Sequence, residues 1–197
     1  MELRVINLNK AFGTHIVLKD TSMTFPEGKR TVLMGDSGCG KTTLLRILMG
    51  LERRDSGEIT GVPECVSAVF QEDRLLEGFN AVSNVAFATD RDITKEAILR
   101  HLAEVGLYDS AYQSVSELSG GMKRRVAIVR AILAKKELLL LDEPLKGLDE
   151  HSREQTAAYI KRHSEGVTTI IVTHDIDEVA LMDAGLIHMG TVQLGCR

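Results

Sequence analysis

The segment Gly35–Thr43, GDSGCGKTT, constrains this chain more than any other stretch. Its spacing satisfies the pattern G-x-x-x-x-G-K-[ST]. The strand-like TVLM stands before it, and a helical run over Lys41–Gly50, apolar at Leu44, Leu45, Ile47 and Leu48, follows. A glycine loop lets successive backbone N–H groups converge on an anion, and the positive end of the following helix adds to that attraction. A polyphosphate is the ligand such a loop suits. Lys41 then reaches the outer phosphates, and the Thr42 hydroxyl takes a place on magnesium. Gly35, Asp36, Ser37, Gly38, Cys39, Gly40, Lys41, Thr42 and Thr43 are therefore the first candidate binding residues. An accidental glycine-rich turn is the competing reading, and the strand-loop-helix context weighs against it.

Composition excludes several classes. With 197 residues, 44% hydrophobic and 26% charged, the chain reads as one globular domain able to bury its own core. A net charge of -4 gives no global attraction to nucleic acid, and no nucleic-acid partner is expected. Cys39, Cys65 and Cys196 are an odd set without paired spacing, which reads as reduced thiols in a cytosolic protein. The opening MELRVINLNK has no apolar signal core, and the longest aliphatic run, Leu138–Leu141, is far too short to cross a bilayer. Any membrane role is expected to be peripheral. His15, His101, His151, His163 and His188 show no metal-ligand spacing and are expected at the surface.

The order of elements agrees with the loop. LRVINL, IVLKDTSMTF and RTVLMG read as strands separated by turns at Phe12-Gly13 and Pro26-Glu27-Gly28. From about Asp73 to Val115 the pattern turns helical, with TKEAILRHLAEVGL apolar at helix spacing. Beyond it, ELLLLDEP and VTTIIVTH are short apolar runs typical of strands buried on both faces, and SREQTAAYIKRHS between them reads as a helix. The expected fold is α/β with a largely parallel core.

Four further segments carry polar residues where chemistry is expected. LLLLDEP ends a buried strand in two carboxylates: Asp142 suits a water-mediated magnesium contact, and Glu143 suits a base for an attacking water. A capping acid at a strand end would look the same. Gln71, after the strand-like AVF, offers an amide to magnesium or water, as would an ordinary loop glutamine. His174, at the end of IIVTH, can bond a terminal phosphate or serve only structure. LSGGMKRR (Leu118–Arg125) begins a helix expected over Met122–Lys135. Ser119 and the glycines either cap it or leave its N–H groups open to an anion, and Lys123, Arg124 and Arg125 read equally as a solvated basic face.

Taken in order, these residues resemble the nucleotide-binding subunit of ATP-binding cassette (ABC) transporters. The resemblance rests on the Walker A loop GDSGCGKTT, the Q-loop Gln71, the signature LSGGM, the Walker B LLLLDE, the D-loop KGLD and the H-loop His174, over nearly the whole chain. It implies a P-loop NTPase fold: a RecA-like core over about 1–72 and 116–197, an N-terminal antiparallel β subdomain, and an inserted helical subdomain over about 73–115. It further implies ATP and Mg2+ as ligands, with Thr42, Gln71 and Asp142 at the metal and Glu143, His174 and Gln71 in catalysis. Phe12 in KAFG matches the aromatic that stacks on adenine.

In this family two subunits pair head to tail. Leu118, Ser119, Gly120, Gly121 and Met122 would then serve the partner's ATP, and Asp149 would carry communication across a homodimer. The implied partners are transmembrane permease subunits, reached through the helical insertion, and a substrate-binding protein. The implied location is the cytoplasmic face of the membrane. Met122 departs from the usual glutamine of the signature, and KGLD from the commoner SALD. QEDRLL and the compact length look most like ATPases of nitrate, sulfonate or taurine importers. A soluble ABC ATPase and a nucleotide-gated adaptor are the alternatives. The chain lacks the long coiled-coil insertion of the first, and intact Glu143 and His174 argue against the second.

Overall fold

The computed structural model describes residues 2–89 and 93–190, so Cys196 lies outside the described residues. In chain order the elements are β1 (Leu3–Phe12), β2 (His15–Phe25), β3 (Arg30–Met34), α1 (Lys41–Leu48), β4 (Ser56–Thr60), β5 (Val66–Val69), α2 (Ala81–Ala86), α3 (Lys95–Glu104), α4 (Gly120–Leu133), β6 (Leu138–Asp142), α5 (Glu150–His163), β7 (Thr168–Val172), α6 (Asp177–Leu181) and β8 (Gly185–His188). They form two sheets. One is antiparallel, in the order β2-β1-β4; the other is parallel, in the order β5-β6-β7-β3-β8.

The four leucines of β6 explain the layering. Successive side chains of a strand point to opposite faces. Leu138 and Leu140 enter a core shared with Leu44, Leu45, Ile47 and Leu48 of α1 and with Leu3, Leu8 and Phe25 of the antiparallel sheet. Leu139 and Leu141 enter a second core with Val126, Ala127 and Ile128 of α4, Ile160 of α5 and Ile98 and Leu102 of α3. Ile170 and Ile171 of β7 divide in the same way. A run without polar alternation is thus a strand covered on both faces.

Helix starts follow side-chain caps three residues back. Asn80, Thr94, Ser119 and Asp149 each accept a hydrogen bond from the backbone N–H three residues on. Helix α1 differs: its cap is Gly40, at φ 100°, and no side chain bonds its free N–H groups. The signature helix starts two residues earlier than the sequence predicts, because Ser119 caps through Met122 N and draws both glycines into the first turn. Strands β4 and β8 have no counterpart in the sequence reading. Each is short and largely exposed, so no apolar pattern marks it.

This layering predicts a sharp contrast. Leu140→Ala, in the fully buried β6, should cost roughly 2–5 kcal/mol by urea unfolding. Leu186→Ala on the edge strand β8, where the side chain is 40% exposed, should cost much less. Equal losses would contradict burial on both faces as the source of the sheet's stability.

Candidate active site

Parallel pairing brings the C-terminal ends of the strands to one edge of the sheet, where ligand sites of α/β folds lie. Leu33 of β3 and Asp142 of β6 both register with Val172 of β7, and Val69 of β5 registers with Leu141 of β6. The loops leaving these four strands are therefore neighbours. They enclose a cavity of about 640 Å³ lined by Gly35, Ser37, Gly38, Gly40, Lys41, Thr42 and Thr43 after β3, by Gln71 after β5, by Asp142, Glu143 and Lys146 after β6, and by Val172 and His174 after β7. His15 and Val17 of β2 complete the wall.

Glycine is required here by close neighbours. A Cβ on Gly40 would come within 2.5 Å of Leu18, and one on Gly35 within 2.5 Å of the Met189 carbonyl. Gly38, at φ 81°, has nothing within 4 Å of the same position, so its backbone stands open. Lys41 Nζ donates to the carbonyls of Gly35 at 2.6 Å and Asp36 at 3.0 Å, which folds the ammonium back over the loop. Cys39 is buried in the core under the loop, and exposed Asp36 does not line the cavity.

The two acids of β6 play different parts. Thr42 Oγ1 donates to Asp142 Oδ2 at 2.9 Å, tying the start of α1 to a strand that does not pair with β3. Burial pushes the Asp142 carboxyl up from its ordinary range, while the Thr42 hydrogen bond opposes the shift. Glu143 takes a left-handed backbone at φ 52°, fixed by its N–H bond to Val172 O at 2.9 Å. A non-glycine residue there carries strain of order 1–3 kcal/mol. The turn sends the carboxylate to the cavity, where Oε1 lies 2.5 Å from His174 Nδ1. Burial raises the Glu143 carboxyl as well, against the attraction of His174.

The other predicted residues fall partly on this cavity and partly away from it. Gln71 lines it and is exposed, and its carbonyl accepts a bond from Arg124 Nη2 at 2.6 Å. Arg124 also donates to the Phe70 carbonyl and pairs with Asp73 at 3.2 Å. Of the alternatives open for Lys123–Arg125, a solvated face therefore does not hold for Arg124. Arg124 is buried, and Arg125 donates to Val105 O at 2.7 Å. Buried Arg124 and half-buried Arg125 satisfy backbone carbonyls by hydrogen bonds, a need that arises only in three dimensions.

Ser119, Gly120 and Gly121 do not line the cavity. Gly120 faces open space, while Leu118 is buried and Met122 packs against the helical core. Asp149 is exposed at the start of α5, and the Ser152 N–H bond holds its carboxyl below the usual range. Phe12 lies opposite His15 across the β1–β2 hairpin, 48% exposed, with Lys10 Nζ 4.8 Å from its ring. His15, which no motif marks, and Lys146, the first residue of the KGLD segment, also line the cavity. A turn of the hairpin and the loop after β6 place them there.

The arrangement suits a polyphosphate with a hard cation. Open backbone at Gly38, an uncapped helix start and two lysines, Lys41 and Lys146, line a cavity that suits an anion. The Thr42 hydroxyl and Asp142 carboxylate are oxygen donors of the kind magnesium takes.

The family model for the ABC transporter matches residues 18–146. The aliphatic sulfonates import ATP-binding protein SsuB 3 of Pseudomonas savastanoi pv. phaseolicola is 42% identical over 191 residues, spanning 92% of this chain and 70% of that protein. The spermidine/putrescine import ATP-binding protein PotA of Mycoplasma capricolum is 37% identical over 212 residues, spanning 98% of this chain and 60% of its own length. Among solved structures, a dimeric bacterial ABC transporter cassette superposes with a TM-score of 0.83 at 26% identity, covering 95% of this chain and 94% of the cassette. Among the described residues, no helix is long and apolar enough to cross a membrane. With family model, sequence identity and cassette fold in agreement, the chain belongs to the ABC transporter family, as one of its ATP-hydrolysing subunits.

Proposed function

We propose that the cavity at the sheet edge holds Mg2+-ATP and that the chain powers an importer of the aliphatic-sulfonate class from the cytoplasmic face of a membrane. One observation carries the catalytic part: Lys41, the Thr42–Asp142 pair, Glu143 and His174 all face one cavity, with Glu143 and His174 2.5 Å apart. The import part rests on relatives described as importers, the sulfonate proteins among them.

In this reading the loop Gly35–Thr43 wraps the phosphates, Lys41 leaves its carbonyl partners for the outer ones, and Phe12 with neighbouring His15 offers a surface to the base. Magnesium, held near Thr42, Asp142 and Gln71, supplies neutralisation of phosphate charge. Glu143 accepts the proton of the attacking water, and His174 holds Glu143 and the terminal phosphate in register. Leu118–Met122 on a second copy close the same nucleotide from above, which accounts for an open helix start that lies off its own cavity. Asp149 lies where the two copies communicate. Permease subunits and a substrate-binding protein complete the assembly.

Glu143→Gln should keep ATP binding and lose phosphate release by about 10²–10⁴-fold. Parental turnover in that variant would remove Glu143 as the base. Because burial raises the Glu143 carboxyl, the base form is lost as pH falls through a value above the ordinary glutamate range of about 4.3, and the acid limb of the rate profile should lie there. Affinity purification from membranes should bring down a permease subunit. Recovery of the chain with soluble partners only would contradict the transport reading.

A further inference from the structure

Helices α3 and α5 bring together His101, Glu104 and His163, the last of which is remote in sequence from the other two. His101 and Glu104 lie three residues apart on α3, so they share a face, and His163 comes from the last turn of α5. His101 and His163 are half-buried, which corrects the expectation of a surface position for these two, and the third member of the group comes from another helix. One donor atom from each of His101, Glu104 and His163 lies within 4.8 Å of the other two. His163 Nε2 is 2.9 Å from Glu104 Oε2, and the two imidazole rings are 4.7 Å apart between centroids. None of the three lines the nucleotide cavity.

We propose that His101, Glu104 and His163 form a binding site for a borderline divalent cation, Zn2+ before others, that staples α3 to α5. Two imidazoles and one carboxylate are the donor set zinc takes, with a fourth position left for water. Tetrahedral ligands at bond lengths of 2.0–2.1 Å stand roughly 3.3 Å from one another, so the donors need only a small contraction. The histidine is already oriented. His101 Nδ1 lies 3.0 Å from the Tyr159 hydroxyl, and Tyr159 is only 2% exposed. A hydrogen bond between one ring nitrogen and an outer partner is the usual support of a metal-ligating histidine, since it fixes the ring and its tautomer.

The surrounding charges permit a cation. Arg162 Nη1 bonds Glu104 Oε2 at 2.8 Å, but its side chain is 66% exposed and can swing into water at little cost. A carboxylate has about four lone-pair sites, enough for an ion and a guanidinium together. The positive charges of Arg100 and Lys136 also reach the cluster and oppose a cation, with Glu104 as the negative member that offsets them.

The test is a Zn2+ titration of the full chain against a chromophoric chelator, with millimolar Mg2+ present to fill hard-oxygen sites. The account expects one tightly bound Zn2+ per chain and a zinc-dependent rise in the thermal midpoint. It expects His101→Ala, His163→Ala and Glu104→Gln each to weaken binding by at least about tenfold, and Tyr159→Phe to weaken it less. Two results overturn it: no stoichiometric zinc and no rise in midpoint for the parent chain, or affinities in the histidine variants equal to the parent. Metal-free thermal unfolding of each variant separates a lost site from a lost fold. The parent titration decides the matter even where a variant fails to fold.

Discussion

A strand that is apolar on both faces must be covered on both faces, and Leu138–Leu141 impose that demand on everything around them. Helix α1 and the antiparallel sheet answer it on one side, and helices α3, α4 and α5 on the other. Neighbours of such a strand pair with it in parallel, since connections through covering helices return each strand in the same direction. The chemistry follows from this. Parallel strands end together, so the residues just past β3, β5, β6 and β7 meet at one edge without any need for proximity in sequence.

Each strand then delivers a different group. Strand β3 opens into glycines whose neighbours exclude a Cβ at Gly35 and Gly40. Strand β6 ends in Asp142, held to α1 by the Thr42 hydroxyl, and in Glu143, turned into the cavity by a left-handed backbone. Strand β7 supplies His174 against that carboxylate. The strained turn at Glu143 is maintained by its backbone bond to β7, so the position of the proposed base depends on the same pairing that holds the sheet. The Arg124 guanidinium does comparable service at the fourth strand, where it holds the carbonyls of Phe70 and Gln71.

Much of this was legible in the residues. The P-loop spacing, the leucine run and the strand-end Asp142, Glu143 and His174 are local patterns, and local patterns survive in one dimension. Strands β4 and β8 were not legible, because short exposed edge strands carry no apolar signature. The sequence leaves the role of Arg124 open, because the carbonyls it satisfies lie more than fifty residues away. The His101–Glu104–His163 group was hidden for the same reason: two of its members share a helix face, and the third arrives from another element. LSGG was only half legible. Its capping role is visible in the bond from Met122 N to Ser119, whereas a role toward a second copy depends on a surface one chain does not complete.

The central claim is that the nucleotide site is composite, with the loop of one chain facing the signature of another. Mixing two inactive variants tests it most directly. Lys41→Ala spoils the phosphate loop, and Gly120→Asp places a charge at the open start of α4. In a mixed head-to-tail dimer one site carries both lesions and the other carries neither. The account predicts that each variant alone lacks ATPase activity and that the mixture regains it, with activity tracking the fraction of mixed dimers. A mixture as inactive as its components, under conditions where mixed dimers are seen to form, would contradict the composite site.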